Sequence, residues 1–189
     1  MPPAFEIRPA TEADVSVIGQ LIRELAEYER APDEAIATDE DLREVLFGPE
    51  PAAHVLIALE NETPIGFAIY FFNFSTWLGR RGLYLEDLFV RPTLRGKGYG
   101  RALLVRLAEI AHARGCGRME WAVLDWNEPA IRFYRKLGAK PMDEWTVFRL
   151  EREGIGRLAM ETPSPQSSPS GRGGRVAPGE GLGLQDGED

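Results

Sequence analysis

The chain has 189 residues, of which 43% are hydrophobic and 28% charged, as is typical of one folded domain with a sizeable core. Its formal net charge of −8 disfavours nucleic acid as a partner, because binding to phosphate backbones requires a basic surface. No apolar run approaches the roughly 20 residues needed to cross a membrane, and the start MPPAFEIRPA is not a secretory signal. Since Cys116 is the single cysteine, an intramolecular disulfide is excluded, and we expect a cytoplasmic protein.

Residues 162–189 differ in composition from the rest of the chain. The segment TPSPQSSPSGRGGRVAPGEGLGLQDGED is rich in Pro, Ser and Gly and has few residues that form a core. Such a segment cannot bury enough apolar surface to offset its ordering entropy. We therefore expect a folded domain over residues 1–161, followed by a disordered tail at 162–189.

The first half of the folded region alternates short strand patterns with two helix patterns. FEIRP predicts a strand at residues 5–9. Thr11 and Asp14, then Thr38 and Asp41, form capping boxes that each predict the start of a helix. HVLIALE and IGFAIYFFNF follow as strands at 54–60 and 65–74, joined by the turn NETP.

The second half continues the alternation. The sequence predicts a buried strand at 83–90, a loop at 91–100, a helix from about Tyr99 to Arg114, a strand at 119–124, a helix at 127–139 and a closing strand at 145–151. Together, these strands and helices predict an α/β fold: a mixed sheet with helices on both faces.

A glycine-rich segment, RGKGYG at 95–100, lies between the buried strand and an amphipathic helix. A glycine-rich turn at a helix N-terminus presents backbone N–H groups and the positive end of the helix dipole to an anion. Side chains larger than hydrogen would block the close approach of phosphates. The segment therefore predicts a pyrophosphate site to which Arg95 and Lys97 add charge, with a purely structural glycine turn as the alternative.

The glycine spacing distinguishes this segment from other nucleotide-binding motifs. The Walker A pattern is absent, and the third glycine comes one residue too early for the dinucleotide fingerprint. The arrangement R-x-x-G-x-G resembles the acetyl-CoA pyrophosphate loop of the GNAT superfamily of N-acetyltransferases. The resemblance implies that acetyl-CoA contacts Arg95, Gly96, Lys97, Gly98, Tyr99, Gly100 and Arg101.

Two adjacent carboxylates, Glu86 and Asp87, interrupt the apolar strand LYLEDLFV. Successive side chains of a strand point to opposite faces, and a buried carboxylate is costly unless it is paired or hydrogen-bonded. We expect one of the two to be functional. The alternative is that one reaches solvent and the other is paired structurally.

A third motif, NEPAIRFYRKLGA at 127–139, resembles the segment that closes the GNAT acetyl-CoA site. The resemblance implies that Asn127, Pro129 and Ala130 contact acetyl-CoA and that Tyr134 lies beside the thioester sulfur. The three motifs occur in GNAT order and spacing over nearly all of residues 5–150. The chain is thus identified as a member of the GNAT superfamily. The resemblance implies the GNAT acyl-CoA N-acyltransferase fold, a mixed central sheet flanked by helices.

The resemblance implies an acetyl transfer from acetyl-CoA to the primary amine of a small molecule, by direct attack in a ternary complex. Because such an amine has a pKa of about 10, it must lose a proton before attack, and Glu86 is the candidate base, acting through water. The family usually supplies an oxyanion donor from the backbone of Leu88, Phe89 or Val90. Tyr134 would then protonate the leaving thiolate.

The segments YLEDLFV and AVLDWNEPAIRFYRKLGA resemble the spermidine/spermine N-acetyltransferase branch, and STWLGR and AVLDWN resemble its thialysine-preferring type. Ser75-Thr76-Trp77 stands where the polyamine type has an acidic residue, which favours short acceptors. The resemblance also implies a homodimer, and it implies substrate contacts at Tyr28, Glu29, Trp77, Glu86, Glu120, Trp121 and Ala122.

Two other functions stay open: a non-catalytic acyl-CoA sensor on the same fold, and a peptide or protein N-acetyltransferase. We expect no metal, because His54 and His112 have no Cys or carboxylate companions at ligand spacing.

Overall fold

The structure is a computed structural model that describes residues 4–161. The predicted tail at 162–189 lies outside the described residues. Those residues divide into two compact units, 4–139 and 140–161, and the domain boundary at 161 stays a prediction. Over residues 4–161, none of the helices is long and apolar enough to cross a membrane.

The first unit is built on a five-stranded sheet whose strands follow one another in chain order. The strands are β1 (Phe5–Pro9), β2 (His54–Glu60), β3 (Thr63–Ser75), β4 (Arg80–Val90) and β5 (Arg118–Trp121). The first four strands pair antiparallel, while β4 and β5 pair parallel through a crossover. The mixed sheet predicted from the sequence is confirmed.

Four helices accompany this sheet: α1 (Val15–Tyr28), α2 (Asp39–Phe47), α3 (Tyr99–Ala113) and α4 (Glu128–Lys136). Both predicted capping boxes are present, at Thr11 with Asp14 and at Thr38 with Asp41. Each box satisfies backbone N–H groups that a helix start would otherwise leave without a partner.

Hydrophobic clusters cover both faces of the sheet. Along β2, Leu56 packs with Leu103 of α3, while Ile57 packs with Ile18 and Leu21 of α1. Because adjacent strand residues point to opposite faces, α3 and α1 lie on opposite sides of the sheet.

A β-bulge interrupts β4 at the two carboxylates. Asp87 pairs with Ile69 and Leu85 pairs with Tyr70, which leaves Glu86 without a partner on β3. A bulge bends its strand and increases the local twist. The parallel pairing of β4 with β5 ends at the same point, at Leu85 opposite Trp121. Residues 122–124, which the sequence predicts to continue the strand, therefore leave the sheet.

The predicted closing strand at 145–151 is wrong. In the second unit these residues have no regular secondary structure, and α5 (Arg152–Met160), which the sequence pattern did not predict, follows them. Val147 is 88% exposed and Phe148 91% exposed. Alternating β-branched and aromatic residues form a strand only beside a neighbour that pairs with their backbone groups, so propensity alone does not decide the outcome.

Candidate active site

A cavity of about 610 Å³ opens where β4 and residues 122–124 diverge. It is bordered by the end of α1, the start of α3 and one face of α4. The structure brings most of the predicted site residues together here: Tyr28, Glu29, Glu86, Leu88, Phe89, Val90, Arg95, Gly96, Gly98, Tyr99, Gly100, Arg101, Ala122, Asn127, Pro129, Ala130 and Tyr134.

The glycine-rich segment forms one end of the cavity. Gly96 and Gly98 have φ values of 82° and 91°, a left-handed conformation that favours glycine. A Cβ at either position would meet no protein atom within 4 Å, so added side-chain volume would enter open space at the cavity lining. Gly98 is also the N-cap of α3, whose first N–H groups are available to an anion. This cradle fits a pyrophosphate.

Arg95 lies against the wall of the cavity. Its guanidinium is 4.0 Å from the ring centroid of Tyr28 and 5.8 Å from that of Phe89, and its Nε donates to the carbonyl of Val90 at 3.0 Å. A guanidinium stacked on an aromatic face is held by cation–π attraction. Arg95 thus places a positive charge of the glycine-rich segment at the cavity wall.

Lys97 is placed differently from the other predicted residues of this segment. It does not line the cavity, and its Nζ lies 3.1 Å from the Glu60 carboxylate at the end of β2. The lysine cation is therefore directed toward β2, and the segment reaches the cavity through its glycines, Arg95 and Tyr99.

Both carboxylates of β4 line the cavity, although the strand alternation predicts opposite faces. The bulge at Glu86 shifts the register by one residue and brings the two side chains to the same space. Asp87 was not among the predicted site residues. A bulge depends on how β3 pairs with β4, so the local sequence holds no signal for it.

Three carboxylates of the cavity, Glu29, Glu86 and Asp87, lie close enough together to influence one another. Burial, together with smaller contributions from the nearby charges of Glu86 and Glu29, raises the pKa of Asp87 to about 6. Burial also raises the pKa of Glu29, the residue that follows α1. Carboxyl groups with raised pKa values are held without a compensating cation, and they favour a positively charged ligand.

Tyr134 of α4 lies on the same cavity. Burial raises the pKa of its hydroxyl, with smaller contributions from Glu29 and Tyr28, so the group stays protonated at neutral pH. Its ring packs against Trp121, with 5.1 Å between the centroids. The side chain is therefore fixed in position as a possible proton donor.

Asn127 connects two walls of the cavity. It is 9% exposed, and its Oδ1 accepts from the Ala130 N–H at the start of α4 and from the Tyr28 hydroxyl, each at 3.4 Å. The sequence predicted the Asn127 contact with acetyl-CoA; the link to α1 becomes visible only in three dimensions.

Three predicted substrate contacts lie outside the cavity lining. Trp77 is 88% exposed in the turn between β3 and β4. Glu120 pairs with Arg118 at 2.8 Å and accepts from the Asn73 amide at 3.2 Å. Trp121 lies behind Tyr134 and supports its ring. Lining residues that the sequence did not predict are Leu25, Asp87, Leu94, Val123, Leu124, Phe133, Lys136 and Leu137.

Across residues 4–161, no group of three or more His, Cys, Asp or Glu side chains is arranged to hold a metal ion.

The diverging strands, the glycine cradle and the flanking tyrosine define a class of acetyl-transferring enzyme. The model of the acetyltransferase (GNAT) family matches residues 20–139, and the chain belongs to this family. Members of the family use acetyl-CoA as co-substrate.

Individual relatives show which members of the family the chain resembles. The chain is 42% identical over 164 residues to a thialysine N-epsilon-acetyltransferase from Bos taurus, with 81% of this chain and 96% of the relative covered. It is 36% identical to a human spermidine/spermine N(1)-acetyltransferase-like protein 1, covering 83% of this chain and 24% of that protein. An integron cassette protein from the mobile metagenome of V. cholerae superposes with a TM-score of 0.70 at 31% identity, covering 83% of this chain and 98% of that one.

Proposed function

We propose that the protein transfers the acetyl group of acetyl-CoA to the primary amine of a small molecule, by direct attack in a ternary complex. The observation that carries the proposal is that one cavity is lined by two groups of residues of opposite character. Gly96, Gly98 and Arg95 form an anion-binding group, and Glu29, Glu86 and Asp87 form an acidic group. Such a cavity is complementary to a phosphate-bearing donor and a cationic acceptor at the same time.

The donor is proposed to follow the gap between β4 and residues 122–124. Its pyrophosphate would lie on the start of α3, and Asn127, Pro129 and Ala130 would flank the remaining length. Because β4 pairs only with β3 beyond Leu85, the N–H groups of Leu88–Val90 that point away from β3 are free to stabilise an oxyanion.

The acidic group is proposed to bind the ammonium group and then remove its proton. A pKa of about 6 suits Asp87 to act as a base near neutral pH. Glu86, which the sequence predicts as the base, is more exposed and is proposed to pass the proton to solvent through water. The amine nitrogen then forms a bond to the thioester carbonyl carbon.

Tyr134 is proposed as the acid that completes the reaction. When the tetrahedral intermediate collapses, the carbon–sulfur bond breaks and the thiolate takes the phenol proton. The extra proton on the former amine nitrogen passes to the phenolate, which leaves a neutral amide and restores Tyr134. The raised pKa of Tyr134 keeps that proton available until the thiolate forms.

The acceptor is proposed to be short, such as thialysine, a lysine-like amine or a small diamine. Residues 75–79, which lead from β3 to β4, include no acidic residue, so this turn offers no carboxylate to a distal ammonium. The thialysine acetyltransferase similarity supports the same acceptor class. We also propose a homodimer in the cytoplasm, as the branch resemblance implies.

A screen of amine acceptors with acetyl-CoA, following release of free CoA, tests the proposed function. Turnover with small primary amines and not with peptide N-termini is the expected result. Acetyl-CoA binding without turnover on any amine would favour the non-catalytic sensor, and turnover on peptides alone would favour a protein N-acetyltransferase.

A further inference from the structure

One carboxylate outside the cavity holds two residues of the glycine-rich segment. Glu60 is the last residue of β2, and its Oε1 accepts from the Lys97 ammonium at 3.1 Å and from the Tyr99 hydroxyl. The Glu60 side chain is 15% exposed. The hydroxyl and the ammonium both lower the pKa of this carboxyl, so it is ionised at neutral pH.

The two residues that Glu60 holds flank Gly98 on either side. The ring of Tyr99 is 8% exposed and stacks on Phe5 of β1, with centroids 4.6 Å apart. Gly98 between them adopts the left-handed conformation that begins α3. A glycine held on both sides by anchored neighbours has little freedom to change the direction of the N–H groups around it.

We infer that Glu60 is a positioning residue that holds the glycine-rich segment in its anion-binding conformation. The inference rests on the proposed function, in which this segment binds the pyrophosphate of acetyl-CoA. Glu60 acts at a distance, because neither it nor the Lys97 side chain lines the cavity. It removes conformational freedom before the donor arrives, which strengthens binding without contributing a contact.

The opposite expectation follows from charge alone. A carboxylate near an anion site repels phosphate, and its removal would free Lys97 to bind it. If Glu60 positions the segment, removing its carboxylate weakens acetyl-CoA binding; if it only repels phosphate, removing it strengthens binding. The same substitution therefore distinguishes the two explanations.

Steady-state kinetics with two acetyl donors provide the test. Acetyl-CoA carries the pyrophosphate, whereas S-acetylpantetheine ends before it. We expect Glu60→Ala to raise KM for acetyl-CoA about tenfold, with kcat and the KM for S-acetylpantetheine changed less than twofold. Glu60→Gln keeps an acceptor for Tyr99 and should raise KM at most threefold. Glu6→Ala, an exposed β1 variant with the same charge change, serves as the control.

Hydrogen exchange of residues 96–100 gives a readout that does not depend on activity. These amides should exchange faster in Glu60→Ala than in the wild-type protein and at the wild-type rate in Glu6→Ala. Unchanged or lower KM for acetyl-CoA in Glu60→Ala would overturn the inference, and so would an equal rise of KM for both donors. Wild-type protein that binds no acetyl-CoA would instead contradict the proposed function.

Discussion

The guanidinium of Arg95 lies 4.0 Å from the ring centroid of Tyr28, which stacks the cation of the glycine-rich segment on the last residue of α1. Tyr28 in turn donates to Asn127, which begins α4. Arg95 is therefore connected through Tyr28 to α1 and to the start of α4, two helices that border the cavity.

Replacing Arg95 should weaken donor binding. We expect Arg95→Ala to raise the Kd for acetyl-CoA by about tenfold, because one phosphate-facing charge and its cation–π support are lost together. Arg95→Lys keeps the charge but stacks less well on Tyr28, so its Kd should lie between those of the wild type and Arg95→Ala. Isothermal titration calorimetry measures the effect, and Arg23→Ala on the exposed face of α1 is the control. Equal Kd values for Arg95→Ala and the wild type would remove Arg95 from the site.

Two substitutions at Gly98 with side chains of the same shape and different charge test whether the glycine-rich segment binds an anion. Gly98 has a φ of 91°, which Asn and Asp tolerate better than other side chains. Gly98→Asn and Gly98→Asp should therefore strain the backbone equally, while only the aspartate repels a pyrophosphate. We expect Gly98→Asp to bind acetyl-CoA at least tenfold more weakly than Gly98→Asn. Equal affinities in two folded variants would place the pyrophosphate elsewhere.

The pKa of Asp87 should govern the acid limb of the pH profile. With a pKa of about 6, Asp87 is protonated below that pH, and kcat/KM should fall there because the amine loses its base and its anionic partner. Glu86→Gln should shift this limb to lower pH, because the Glu86 charge helps to raise the Asp87 pKa. Asp87→Asn should lower kcat/KM by about 100-fold or more. An acid limb that Glu86→Gln leaves in place would show that another group titrates.

The same pKa predicts a pH-dependent gain of stability in Asp87→Asn. Between pH 3.8 and about 6 the folded state binds more protons than the unfolded state, so wild-type stability falls as pH rises through that window. At pH 7.5 the asparagine variant should therefore be more stable, by at most about 3 kcal/mol, and near pH 3 the two should be alike. Denaturant unfolding at both pH values measures the difference. A variant less stable than wild type at pH 7.5 would mean that the Asp87 carboxylate is paired.

Removing only the hydroxyl of Tyr134 should slow the chemical step and leave acetyl-CoA binding intact. In Tyr134→Phe the ring still packs on Trp121, 5.1 Å away in the wild type, while the proton donor is lost. We expect kcat to fall about 10–1000-fold with the acetyl-CoA Kd unchanged. Stopped-flow or steady-state rates across pH, together with calorimetry, separate the two quantities. Full activity at every pH would show that water or another group protonates the thiolate.

Acceptor preference should be graded by length. Ser75 leaves the turn between β3 and β4 without a carboxylate for a distant ammonium, so thialysine and putrescine should have higher kcat/KM than spermidine and spermine. One partly exposed ion pair contributes only about 1 kcal/mol, so spermine should still react slowly. Thr76→Asp, at an exposed position of this turn, should raise kcat/KM for spermine relative to putrescine, with Thr76→Asn as the control. If the wild-type protein has its highest kcat/KM with spermine, the protein is of the polyamine-preferring type.

Much of the scaffold follows from signals confined to neighbouring residues. The capping boxes at Thr11 and Thr38 and the glycine spacing at 95–100 each act within a few residues, and the structure has helices at the predicted places. The predicted strand at 145–151 failed, because a strand requires a partner that local propensity does not supply.

The sequence by itself determined the order of the elements from β1 to α4 and the family, and it predicted the anion-binding segment, since each depends on short-range spacing or on motif similarity. Only the tertiary structure decided that Glu86 and Asp87 share one cavity, because the bulge arises from the register between β3 and β4. It also decided that the Lys97 cation faces Glu60, a partner 37 residues away, and is directed away from the cavity. Pairings between distant residues depend on the geometry of the whole sheet, which no local pattern encodes.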